Sequence, residues 1–183
     1  MSDHILTAEP ATPAAFAPFG QIVDRGPAAP VFENAGLRSW RRDYQATGTT
    51  ALMVIEFKEI PLRFSRIERH HDVTQGFLPL SGRWMAMVVA EDTGAAPPRP
   101  DALRAFLFSP HQGVLLWRSV WHAVNRFPIG GNAVCALLTT HETQAELERA
   151  RSGGPAPRRT AFHDFAAEGQ GFRLVIPPGL GPA

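Results

Sequence analysis

Between about residues 37 and 140 the chain is a succession of short apolar or alternating runs divided by Gly, Pro, Ser and Asp. Segment 51–57 is an apolar run followed by Pro61. Segment 62–70 alternates, which puts Leu62, Phe64, Arg66, Glu68 and His70 on one face of an extended strand. Segment 73–80 reads as the next strand and closes on Ser81-Gly82, while 84–90 is apolar throughout and reads as a central strand. Asp92 to Asp101 carries three prolines and is a loop; 105–109, 113–118, 120–125 and 133–140 complete the series. Many short strands separated by turn residues predict an all-β sandwich or barrel.

The ends of the chain read differently. Thr12 before Pro13-Ala14-Ala15-Phe16 is a capping residue ahead of a proline at the first helical position, and Pro18 and Gly20 keep that helix to about two turns. Segment 24–36, rich in Pro, Gly and Ala, is a surface loop. A helix is predicted over 142–151, stopped by Gly153-Gly154-Pro155. The tail 152–183 contains one further strand, 172–176, which packs on the barrel or on a partner subunit. With no internal repeat, residues 1–183 form a single domain around a core at about 37–140. His4 and His163 fall in weakly structured ends, His111 in a turn, and His141 at the start of the helix.

Charge narrows the partners. The chain has 18 basic and 17 acidic residues and a net charge of +1, so no strong field is directed at nucleic acid or an anionic membrane. A small-molecule partner is expected instead. Cys135 is alone in an apolar run, which excludes a disulfide within one chain and fits a buried thiol in a reducing compartment. The first residues, Met1-Ser2-Asp3-His4, lack the basic and apolar regions of a secretory leader, and no apolar run reaches membrane-spanning length. A cytoplasmic protein is expected.

Two segments carry chemistry. In the first, alternation puts Glu68 and His70 on one face, and Gln75 returns on the neighbouring strand. Nitrogen and oxygen donors from paired strands suit a divalent metal ion; the same residues also make a polar cluster that only hydrogen-bonds ligand or water. In the second, 117–122, alternation sets Arg118 and His122 on one face and Trp117 and Trp121 on the other. Arginine binds a carboxylate through two parallel hydrogen bonds while histidine moves a proton. His122 as a satisfied core histidine, and the tryptophans as core packing, are the plain alternatives.

These residues resemble the ureidoglycolate lyase family of the cupin superfamily. The most specific stretch is Glu68-Arg69-His70 with Thr74-Gln75-Gly76-Phe77-Leu78-Pro79-Leu80 and Gly82. A second comprises Leu103-Arg104-Ala105-Phe106, Gln112-Gly113-Val114, Arg118 and Val120-Trp121-His122. The general cupin pattern is matched by Glu68, His70, Gln75 and Gly82, with His122 as the second histidine. The resemblance implies a cupin-type double-stranded β-helix barrel, a homodimer, and cleavage of ureidoglycolate, or a related carboxylated hemiaminal or amide, to glyoxylate and urea. It implies His122, His70 and Glu68 as catalytic residues, and Arg118, Arg69 and Gln75 as contacts to a carboxylate or ureido substrate. A divalent ion would be held by Glu68, His70, Gln75 and His122, with no nucleotide cofactor. The chain departs from the family pattern at Leu116-Trp117, at Ala123-Val124 and at Thr139-Thr140-His141-Glu142, which predicts an altered substrate pocket. A non-catalytic cupin that binds a small acid, and a metal-dependent cupin enzyme with another substrate, remain the other readings.

Overall fold

A computed structural model describes residues 2–181. The protein is all-β: two curled sheets pack face to face, and among the described residues there are two α-helices, Pro13–Phe16 and His141–Arg151. The arrangement is that of the expected barrel. The smaller sheet has five strands, in the order Gly20–Val23, Gly113–Leu116, Gln75–Pro79, Ala133–Thr140 and Thr50–Phe57. The larger has nine, running from Thr160–Asp164 through Arg66–His70, Trp121–Ala123, Trp84–Ala90, Arg104–Phe108, Ser2–Pro10 and Gln170–Val175 to Arg63–Phe64; Phe127–Ile129 pairs with Trp84–Ala90 off that path.

The uninterrupted apolar run Trp84–Ala90 is explained by burial on both faces. Met87 and Val89 enter a cluster between the sheets with Phe77, Phe106, Val114 and Leu137. Ala86, Val88 and Ala90 point the other way, into a cluster drawn from the larger sheet and its connections, with Ile67, Trp121, Phe127, Phe165 and Phe172. Gly82 closes the turn before this strand with φ +65°, a conformation that costs glycine little.

Several expectations are corrected. The segment 62–70 is two strands, because the chain breaks at Ser65: Leu62 and Phe64 pack with Ile67, whereas Glu68 and His70 point to the opposite side. The N-terminus is not weakly structured; Ser2–Pro10 is a strand parallel to both Arg104–Phe108 and Gln170–Val175, and His4 stacks on Phe172. His163 lies in a second unforeseen strand, Thr160–Asp164. The loop 24–36 contains Phe32–Glu33, which pairs with Arg38–Ser39. The expected helix at Pro13 is a single turn, capped as anticipated by Thr12, whose Oγ1 accepts from Ala15 N–H at 3.2 Å. The tail packs on this chain's own barrel: Phe172 is buried with its ring 4.8 Å from that of Phe64 and 4.9 Å from that of Phe165. Among the described residues no helix is long and apolar enough to cross a membrane.

Candidate active site

The register of the larger sheet builds the site. His122 pairs with Glu68 across antiparallel strands, and Val89 lies beside it on the other side. Since Ile67, Trp121 and Ala123 enter the larger sheet's own core, Glu68, His70 and His122 face the space between the sheets. There Glu68 and His70 line a cavity of about 170 Å³ with Gln75, Phe77 and Arg126, under Gln144, Leu147 and Arg151 of the helix His141–Arg151, and His122 lies beside them. Thr140 starts that helix by accepting from Thr143 N–H through Oγ1 at 3.2 Å. So strand pairing places the acid and the two imidazoles, and one capped helix covers them.

The geometry is tight. His70 Nε2 lies 3.8 Å from Glu68 Oε1, His122 Nδ1 lies 3.9 Å from the same oxygen, and the two rings are 5.2 Å apart. One ligand atom from each of Glu68, His70 and His122 falls within 4.8 Å of the others. His70 Nδ1 contacts Thr160 Oγ1 at 2.8 Å. The Nε2 atoms of both histidines are buried without a hydrogen-bond partner. The unpartnered Nε2 of His70 beside the Glu68 carboxylate, with a ring nitrogen of His122 close to both, forms a donor set that a divalent ion accepts. Ligand bonds of about 2.0–2.2 Å set neighbouring donors about 3.0–3.6 Å apart, so these side chains would close in on an ion from 3.8 and 3.9 Å. The residues fit a metal ion.

Arg126 was not singled out from the sequence, and it completes the site. It is 2% exposed, and its guanidinium lies 4.4 Å over the Phe77 ring. Its Nη1 donates to the Ala123 carbonyl; its Nη2 lies 3.5 Å from Gln75 Oε1 and 3.2 Å from His122 Nδ1. Its Nε–H has no partner, and among the described residues it forms no ion pair within 4.0 Å. An arginine directly before the apolar Phe127-Pro128-Ile129 run is the one signal that could have revealed it.

Electrostatics follow from this burial. Desolvation pushes the Glu68 carboxyl up to about 7, against the pull of Arg126, Arg151 and Arg66. Desolvation and the Arg126 charge push His70 down to about 3, and hold His122 well below its ordinary value. Both imidazoles are therefore neutral at pH 7. Arg126 is lowered by burial to about 10 and stays charged.

Two expected substrate contacts, Arg118 and Arg69, do not line this cavity. The strand carrying Leu116 ends there, and Arg118 falls in a turn with Ser119 at φ +61°, so alternation does not carry Arg118 onto the face of His122. Arg69 lies on the opposite side of its strand from His70, paired with Asp92 at 2.8 Å and stacked 4.5 Å over the Trp121 ring. Of the departures from the family pattern, Leu116 and Ala123 are buried in the two cores, and Trp117 lines a separate groove with its Nε1 donating to Ala17 C=O. Val124 does line the cavity.

Comparison with known proteins agrees with this picture. The family model described as ureidoglycolate lyase matches residues 3–152. Relatives named ureidoglycolate lyase include that of Brucella ovis, 38% identical over 130 residues, covering 67% of this chain and 75% of the relative. That of Mesorhizobium japonicum is 36% identical over 127 residues, covering 65% and 76%. Ureidoglycolate lyase 1 of Rhizobium meliloti is 38% identical over 128 residues, covering 65% and 73%. With its fold, its buried acid and imidazoles, and a match over most of its length, the chain belongs to the ureidoglycolate lyase family.

Proposed function

We propose that this protein is a carbon–nitrogen lyase that cleaves ureidoglycolate to glyoxylate and urea. Family membership supports the reaction, and one observation supports its placement. The buried Arg126 cation, with no carboxylate of its own within ion-pair distance, lines the same cavity as Glu68 and His70 and touches His122 beside it. A buried charge without a partner is costly. The substrate carboxylate supplies the missing anion, and the Arg126 guanidinium orients it.

The substrate is a carboxylated hemiaminal. Its hydroxyl proton must leave as the C–O bond becomes a carbonyl; the C–N bonding pair then goes to the urea nitrogen, which must gain a proton. Glu68, with a carboxyl near 7, is matched to both transfers at neutral pH: its carboxylate takes the hydroxyl proton and returns it to the departing nitrogen. His70 and His122, neutral and buried, offer lone pairs or N–H groups to the substrate oxygens without adding charge. Gln75, beside Arg126, faces the polar ureido end. Glu68, His70 and His122 would hold a divalent ion, which when bound polarises the hydroxyl and carboxylate oxygens. A carboxylate has two oxygens, so ligation through one leaves the other for the proton.

The test is direct. Purified protein given ureidoglycolate should release glyoxylate and urea in equal amounts. Glu68→Gln should lose at least about a hundredfold in rate, the usual scale for a proton-transfer group, and His122→Ala about a hundredfold, the scale for removing one preorganised contact to the developing charge. Full activity in either variant would remove the mechanism.

A further inference from the structure

Residues beyond 152 lie outside the family match, yet one of them reaches the reacting cluster. Strand Thr160–Asp164 runs antiparallel to Arg66–His70 and sets Thr160 opposite His70. Across that pair Thr160 Oγ1 lies 2.8 Å from His70 Nδ1, and both residues are buried. The strand is anchored just before this point. His71 N–H donates to Arg159 C=O at 2.9 Å. Glu146, on the helix that covers the cavity, accepts from the N–H groups of Arg158 and Arg159 at 2.8 and 2.9 Å. Threonine is β-branched, with few χ1 rotamers, so a backbone held in register also holds its hydroxyl.

We propose that Thr160 is a positioning residue whose hydroxyl accepts the Nδ1–H of His70 and so presents the Nε2 lone pair to the cavity. The inference rests on the reading of Glu68, His70 and His122 as the reacting cluster. Its physical basis is the surroundings of the other ring nitrogen. His70 Nε2 is buried, lies 3.8 Å from Glu68 Oε1, and has no hydrogen-bond partner. A proton there would be a buried donor with no acceptor in reach, because 3.8 Å is too long for a hydrogen bond. With the proton on Nδ1, the hydroxyl satisfies it and Nε2 is left as a lone pair aimed at a metal ion or a substrate O–H. Support of this kind, from a group behind the ring, fixes both tautomer and ring orientation. The C-terminal segment thus completes the active site as well as covering a core.

The experiment uses the full-length protein, stripped of metal and labelled with ¹⁵N-histidine, as wild type, Thr160→Val and Thr160→Ser. Valine keeps the branched shape and removes the hydroxyl; serine keeps the hydroxyl. NMR should show wild-type His70 protonated at Nδ1, the valine variant shifted toward Nε2–H or mixed, and the serine variant like wild type. Titration with Zn²⁺ should give about 10- to 100-fold weaker binding for Thr160→Val and near wild-type affinity for Thr160→Ser. Wild-type His70 protonated at Nε2, or a valine variant with unchanged tautomer and unchanged Zn²⁺ affinity, would overturn the proposal. A wild-type protein that takes no Zn²⁺ and does not act on ureidoglycolate would sink the lyase and metal readings instead, while the tautomer still decides the role of Thr160. If Thr160→Val does not fold, the wild-type tautomer and the serine variant decide it.

Discussion

Replacing Arg126 with methionine removes a cation but keeps an unbranched chain in a position that is 2% exposed. Two effects of opposite sign follow. No carboxylate lies within ion-pair distance of this guanidinium, whose desolvation is opposed chiefly by the more distant Glu68, and it donates to the Ala123 carbonyl. Replacing whole buried ion pairs by apolar side chains of similar volume is neutral or stabilising by about 1–4 kcal/mol, and removing a single buried charge that has no partner within ion-pair distance has the same sign. The orphaned Ala123 carbonyl takes back about 1 kcal/mol or more. Folding stability should therefore stay level or rise. Catalysis should move the other way. A hydrogen bond to a charged group contributes about 1.5–3 kcal/mol, and losing 2–3 kcal/mol from the bound carboxylate corresponds to about a 30- to 150-fold fall in kcat/KM. The acid limb of the pH–rate profile should also move to higher pH, because Arg126 is the largest charge holding the Glu68 carboxyl down. Glyoxylate release across pH, alongside urea unfolding of the same preparations, tests the whole set. Unchanged kcat/KM with reduced stability would make Arg126 a structural residue and refute the argument.

Three further outcomes are expected. In metal-free protein, His70 and His122 resist protonation when folded but bind protons below about 6.5 when unfolded, so stability should fall as pH drops from about 6.5 toward 3. Glu68 acts oppositely between 4.5 and about 7, where the folded state holds the extra proton. Two groups against one make the net effect acid destabilisation between about 6.5 and 4.5, and urea midpoints that are flat or rise as pH falls to 5 would contradict it. Chelation should abolish turnover and a divalent cation should restore it; full activity in chelator would exclude a catalytic ion held by Glu68, His70 and His122. Phe172→Ala empties a buried site between Phe64 and Phe165 and should cost about 3–5 kcal/mol in urea unfolding. A loss below about 1 kcal/mol would mean the tail is not part of the core.

The local pattern determined a good deal. Alternation, apolar runs and turn residues are properties of neighbouring positions, and they placed Trp84–Ala90 and Ala133–Thr140 at their observed bounds and the helix His141–Arg151 within one residue of its start. The spacing of Glu68, His70 and Gln75, with His122 later, was enough to identify the family and the cluster facing the cavity. The folded structure alone decided how faces register. A break at Ser65 reverses which side Phe64 and Glu68 occupy, and a turn at Ser119 interrupts the strand between Arg118 and His122; alternation cannot be counted across either interruption. The carboxylate-binding role expected of Arg118 passes in our reading to Arg126, whose importance comes from being buried with no carboxylate within ion-pair distance, a property no residue has on its own. Thr160 meets His70 across ninety positions of chain because two strands pair there. Sequence sets what each segment can form, but contacts between distant segments depend on packing, and half of this site is made of such contacts.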